Sequence, residues 1–127
     1  MAKLTPNTHR LPEVAKAVEA AEGDAIVAVN TVKAMAISVE ARRPILFNRS
    51  GGLSGPAIKG VGLRCVYELR EAVGLPIVGV GGIESSRDVL EYMAVLAGSI
   101  LGELMPGEQS VQVLAVSVVL VALVMNK

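Results

Sequence analysis

Two rhythms of apolar residues run along the chain. Leu11, Val14, Ala15, Val18 and Ala21 recur at three- and four-residue spacing, which predicts an amphipathic helix over residues 10–22. Ala25-Ile26-Val27-Ala28-Val29 and Pro76-Ile77-Val78-Gly79-Val80 are unbroken apolar runs, the pattern of strands covered on both faces in a parallel sheet. Ile58, Val61, Gly62, Cys65, Val66 and Leu69 return to helical spacing up to about Ala72, and Val89, Tyr92, Met93 and Leu96 do so again. The punctuation agrees. Asn7 or Thr8 can cap the first helix, and Gly23 suits a left-handed residue at its end. Pro56 fits the first turn of the second helix and Gly74 its close. Ser85 with Asp88 three residues on approximates a capping box for the third. Met1 to Leu4 reads as the tail of a strand. Residues 32–50 read as irregular, with short extended pieces at 36–39 and 44–47.

Strands alternating with helices predict an α/β fold with a parallel sheet, and such folds bind ligands at the C-terminal ends of their strands. Lys3, Asn30, Thr31, the run Gly51 to Gly55, and Gly81 with Gly82 all fall on that edge. The stretch Arg49-Ser50-Gly51-Gly52-Leu53-Ser54-Gly55-Pro56-Ala57-Ile58-Lys59 carries three glycines directly ahead of a helix. Glycine tolerates positive φ and lets a ligand approach the backbone, while the helix N-terminus adds a positive dipole end; together these can grip a phosphate. Each position also has a purely structural reading. A Gly/Ser run serves as loop and cap, Lys3 as a solvated terminal lysine, Asn30-Thr31 as a turn after a strand, and Gly81-Gly82 as turn chemistry.

Composition narrows the field. The 127 residues suit one compact domain, and 52% apolar content with one Phe, two Tyr and no Trp requires an aliphatic core. Formal net charge is zero, no basic block is present and no aromatic platform exists, which argues against nucleic acid as a partner. The single cysteine, Cys65, precludes an internal disulfide or a cysteine-based zinc site and sits on the apolar stripe of the second helix as a core residue. His9 is expected at the surface. The N-terminus lacks an apolar signal core, so a cytoplasmic location is expected. Residues 111–125 are nearly all apolar, yet fall short of the ~20 a membrane helix needs.

Five motifs, in order and in register, resemble the dihydroorotate dehydrogenases: Lys3-Leu4-Thr5-Pro6-Asn7, Val29-Asn30-Thr31, Arg42-Arg43-Pro44-Ile45-Leu46, Gly51-Gly52-Leu53-Ser54-Gly55-Pro56-Ala57-Ile58-Lys59 and Gly79-Val80-Gly81-Gly82-Ile83. The third and fourth are more similar to the soluble, NAD-linked, two-subunit class than to the quinone-linked class. The resemblance implies a TIM (β/α)8 barrel with FMN at its C-terminal face, oxidising dihydroorotate to orotate in pyrimidine synthesis. It implies that Lys3 hydrogen-bonds the flavin ring, where a cation stabilises the reduced flavin. It further implies that Val29 lies beside the flavin, that Asn30 and Thr31 read the pyrimidine, and that Gly55, Gly81 and Gly82 present N–H groups to the phosphate. Gly51 to Gly55 would then form one wall of that phosphate site.

The likeness covers residues 2–98 and leaves 99–127 as a divergent apolar tail. A full β/α barrel takes about 250 residues, so the resemblance implies only the C-terminal half of one, about four βα units. The family's catalytic base, a cysteine or serine on a loop, would belong to the other half, and no residue here is assigned as catalytic or as a metal ligand. The last strand of the family ends in a Gly-Thr pair that neither Gly102-Glu103 nor Leu114-Ala115 supplies. The expected partners are dihydroorotate and orotate, the missing N-terminal half-barrel, an iron–sulfur electron-transfer subunit, and further copies of the chain through uncovered sheet edges. Alone, the chain is expected to be inactive. A non-catalytic α/β module, a fragment of a dihydropyrimidine dehydrogenase-like flavoprotein and a small membrane-tethered protein remain as alternatives.

Overall fold

A computed structural model describes residues 1–98. Strand β1 (Ala2–Leu4), helix α1 (Leu11–Ala20) and strand β2 (Ile26–Ala28) come first. Four short strands follow: β3 (Val32–Ala34), β4 (Ile37–Ser38), β5 (Arg43–Pro44) and β6 (Gly51–Leu53). A 3₁₀ turn (Pro56–Ile58) leads into helix α2 (Lys59–Ala72), then strand β7 (Ile77–Gly79) and helix α3 (Ser86–Leu96). β1, β2 and β7 form a parallel sheet in that spatial order. The membrane and tail readings of residues 99–127 lie outside the described residues. Among the described residues no helix is long and apolar enough to cross a membrane.

The register separates the two faces of the sheet. Ala2, Ile26 and Ile77 form one row, Lys3, Val27 and Val78 the next, and Leu4, Ala28 and Gly79 the third. Successive residues of a strand point to opposite faces. The first and third rows therefore meet the helices, and Ile26, Ala28, Leu4 and Ile77 are buried there beside Leu11 and Ala15 of α1, Cys65, Val66 and Leu69 of α2, and Tyr92, Val95 and Leu96 of α3. The middle row faces away, with Lys3 exposed and Val27 and Val78 half-buried. α2 packs between α1 and α3 and touches β2 and β7.

Local details depart from the sequence reading at informative places. Helix α1 starts at Leu11 with Arg10 as its N-cap and no side-chain cap bond. Thr8 Oγ1 instead accepts from the Arg10 N–H at 3.1 Å, and Asn7 is used elsewhere. The left-handed residue after α1 is Glu22, φ 58°, and not Gly23. Gly23 is required by proximity, because a Cβ there would lie 2.6 Å from Val18 Cγ1. α2 ends on extended Val73, and the Gly74 N–H then donates to Glu19 Oε1 at 2.8 Å, tying the end of α2 to α1. On α3, Val95 takes the core position expected of Met93, which is 42% exposed. The Ser85–Asp88 capping box is present in full.

Residues 32–50 are more regular than expected: β4 and β5 fall on the short extended pieces expected at 36–39 and 44–47, while β3 is the departure. β3 pairs antiparallel with β6, placing Val32, Lys33 and Ala34 opposite Leu53, Gly52 and Gly51. β4 pairs antiparallel with β5. These pairings are only two or three residues long and alternate poorly, so no period of two stands out in the sequence. They project a flap beyond the C-terminal end of β2. Its apolar side chains are exposed, among them Met35, Ile37, Val39, Ile45 and Phe47.

Candidate functional site

The ends of β1, β2 and β7 are laced together just past the last sheet row. Val29 N–H donates to Val80 O at 2.9 Å, Asn30 N–H donates to Leu4 O at 2.9 Å, and Val80 N–H donates to Ala28 O. The Ala28–Val29 peptide bond in this lacing is cis. The side chains assigned from sequence divide into two groups around this edge.

Val29, Gly55, Gly81 and Gly82 belong to one group. Val29 is buried. Gly81 has φ 124°, and a Cβ on it would lie 3.1 Å from Ile58 Cδ1 and 3.8 Å from Val29 Cγ2. Gly82 has φ 69°, and its Cβ would lie 2.6 Å from Lys59 N, the first residue of α2. The turn after β7 thus abuts the start of α2, an approach open only to glycine. Gly55, φ 84°, opens the 3₁₀ turn that carries Ile58 and has open space where a Cβ would be. Its carbonyl accepts from Ile58 N–H at 3.1 Å. Among the described residues, the N–H groups of Gly55, Gly81 and Gly82 meet no acceptor.

Lys59 does not lend its charge to this cradle. Its ammonium is held 2.6 Å from Asp88 Oδ1 and 2.9 Å from Glu91 Oε2, both on α3. These hydrogen bonds, Asp88 first, raise the Lys59 pKa above its ordinary value. Asp88 is held well below the usual carboxylate range by Lys59, then by the Ser85 hydroxyl and the Glu84 N–H. The pair clamps the start of α2 to the start of α3. Any anion at the glycine turns would therefore be met by backbone dipoles.

Asn30 and Thr31 form the second group, with the flap. Asn30 is exposed and its Oδ1 accepts from the Thr31 N–H at 2.9 Å. Thr31 packs on Gly52, whose missing Cβ leaves the room. Asn7, expected as a helix cap, instead reaches across from the β1 side. Its Nδ2 donates to Thr31 O at 2.9 Å and its Oδ1 accepts from Lys33 N–H at 2.8 Å, fixing the base of β3. Asn7, Thr31, Lys33, Ser50, Gly51 and Gly52 line an open hollow of about 300 Å³. Lys3 stands on the bare sheet face in the row of Val27.

The glycine-rich run is thereby divided. Gly51 and Gly52 are strand residues of β6 that give room to Leu46 and Thr31, and only Gly55 reaches the N-terminal side of α2. Pairing with β3 places Gly51 and Gly52 in a strand, whereas Gly55 lies beyond it with positive φ, so the run is not one continuous loop. Cys65 is fully buried, and that burial pushes its thiol pKa up, as befits a core residue. No group of metal-ligating side chains occurs among the described residues.

Tyr92, legible in the sequence only as a position on the apolar stripe of α3, reaches this edge from the core. Its side chain is fully buried, and its hydroxyl donates to Gly81 O at 2.8 Å. The ring lies against Gly79, where a Cβ would be 2.6 Å from Cδ1, and the hydroxyl fills the space of a Cβ on Gly62. The available signal was its being one of only two tyrosines in an otherwise aliphatic chain.

Comparison with known proteins places this arrangement. A family model described as dihydroorotate dehydrogenase matches residues 1–103. The chain is 49% identical over 98 residues to the dihydroorotate dehydrogenase B (NAD(+)) catalytic subunit of Oceanobacillus iheyensis, covering 77% of this chain and 32% of that protein. It is 50% identical over 99 residues to the protein of the same name from Methanocaldococcus jannaschii, covering 78% of this chain and 32% of the relative. The counterpart from Thermoplasma volcanium is 54% identical over 98 residues, covering 77% and 31%. The chain spans about a third of the length of these relatives. A match running through both glycine turns, the strand ends and all three helices has one meaning: the chain belongs to the dihydroorotate dehydrogenase family.

Proposed function

We propose that this chain supplies the FMN-phosphate cradle and the pyrimidine-reading residues of a dihydroorotate dehydrogenase of the NAD-linked, two-subunit class, oxidising dihydroorotate to orotate in pyrimidine synthesis. The observation that carries the reading is the meeting of the Gly55 and Gly81-Gly82 turns at the start of α2, with N–H groups that lack acceptors among the described residues. Phosphate suits such a cradle because it accepts several hydrogen bonds and is stabilised by a helix N-terminus. Val29 lies against Gly81 and would border the flavin; Lys3 on the bare sheet face would lie along it, and Asn30 with Thr31 would bind the flat pyrimidine. The flavin, when bound, supplies the two-electron acceptor for the oxidation.

On this reading the chain is the C-terminal half of a TIM barrel, and the base that removes the substrate proton comes from the complementary half. The sheet supports this, for its helices cover one face only, while Lys3, Val27 and Val78 line the other. The exposed apolar residues of the flap support association with further polypeptide, of which an electron-transfer subunit is one member, since the relatives are named as catalytic subunits. A cytoplasmic location follows from that class.

Absorbance and fluorescence of the purified chain with added FMN test the cofactor assignment. Bound flavin with quenched emission is expected; protein that ignores FMN overturns it. Dihydroorotate oxidation is expected only when the complementary half-barrel is supplied. In that complex Lys3→Ala should slow flavin reduction and Asn30→Ala should raise the substrate KM. Wild-type values in both would remove those two assignments.

A further inference from the structure

We infer that Tyr92 is a positioning residue for the phosphate of the cofactor, acting through the peptide that joins Gly81 to Gly82. The inference rests on the cofactor reading above and adds a residue from outside the glycine turns.

The argument begins with the peptide plane. The Gly81–Gly82 bond is trans, since the only cis bond among the described residues is Ala28–Val29. In a planar trans peptide the carbonyl and the following N–H point in opposite directions. Tyr92 holds the Gly81 carbonyl from inside, at 2.8 Å, with its ring wedged between β7 and α2. The Gly82 N–H must then point away from the core, toward the open side of the strand ends. Both glycines have positive φ, so without an anchor this peptide could flip at little steric cost, carrying the N–H inward. No side chain among the described residues other than Tyr92 bonds to the Gly81 or Gly82 backbone. The space a Cβ on Gly82 would need is taken by Lys59, 2.6 Å away at its N, so α2 crowds this turn and rotation of the peptide is the freedom that the hydroxyl removes.

Comparison of FMN with riboflavin isolates the phosphate, because riboflavin lacks it. The parent chain should bind FMN more tightly than riboflavin, and Tyr92→Phe should lower that preference by about tenfold, the worth of one hydrogen bond to a charged group, while leaving riboflavin affinity unchanged. In parallel, the Gly82 amide resonance should shift on adding inorganic phosphate to the parent and not to Tyr92→Phe. A parent with no preference for FMN overturns the cofactor reading and this inference with it. A Tyr92→Phe chain that keeps the parent's preference, with the parent showing one, overturns the positioning role alone. If Tyr92→Phe loses both flavins equally or fails to fold, Tyr92 is structural only and the inference also falls.

Discussion

The Tyr92 hydroxyl meets the Gly81 carbonyl at 2.8 Å in the interior, while Gly81 itself belongs to the turn at the outer edge of the sheet. One side chain thus joins the core to the candidate site. Its room is made by Gly62 on α2 and Gly79 on β7, each of which would collide with the phenol if it carried a Cβ. Gly79→Ala and Gly62→Ala are therefore overpacking mutations at the same ring. Each should lower stability by roughly 1–3 kcal/mol. Urea unfolding would show an earlier midpoint with a similar slope, and an unchanged midpoint in either variant would mean that the ring can move aside.

Alkali should unfold the chain in part through Tyr92. Burial pushes its pKa from 10.0 up to about 12. In the unfolded chain the phenol loses its proton first, so between pH ~10 and ~12 the native state binds more protons and stability falls as pH rises. Below pH ~10 the group contributes its full share. Cys65 and Lys59, also raised, act in the same direction, so the Tyr92 part is read as the difference between parent and Tyr92→Phe. The parent should lose stability faster than the variant across that window. Parallel pH profiles would contradict the assignment.

Asn7→Ala should loosen the flap without unfolding the sheet. The amide both donates to Thr31 O and accepts from Lys33 N–H, and no other side chain among the described residues bonds to those two backbone groups. Losing them removes roughly 1 kcal/mol for each bond. Hydrogen exchange at Lys33 should quicken by about an order of magnitude, while Ile26 and Val27 in the parallel sheet keep their protection. Equal protection at Lys33 in both proteins would show that β3–β6 pairing holds the flap unaided.

How much of this was legible in the sequence depends on the range over which the signal acts. The runs at Ile26 and Ile77 and the stripe through Cys65, Val66 and Leu69 announced the parallel sheet and α2, because burial of long elements writes a period into the chain. Ser85 with Asp88 announced α3, because a capping box is local. That the Gly51 to Gly55 run and Gly81-Gly82 share one strand-end edge was readable from the alternation of strands and helices, but the approach of Gly82 to Lys59 was not, as it depends on how α2 docks against β7. β3 with β6 was not readable, since its register comes from Asn7 and from the fit of Thr31 on Gly52. Lys59 closes the glycine-rich motif in the sequence, but its partners Asp88 and Glu91 lie one βα unit further on.

That ion pair gives the last prediction. Asp88 accepts from Lys59, Ser85 and Glu84 and titrates far below an ordinary carboxylate. The unfolded chain takes up its proton near pH ~4. Below that pH the unfolded state holds more protons than the native state, so the contribution of Asp88 is complete above pH ~4 and is lost as pH falls toward the native pKa. Asp88→Asn deletes the carboxylate yet keeps the side-chain shape. It should melt earlier than the parent at pH 7, and the gap should narrow steadily below pH ~4 as the parent loses the same charge. Thermal melts at pH 7, 4 and 3 decide it. A gap of constant size would mean that packing, and not the charge shared with Lys59, is what Asp88 provides.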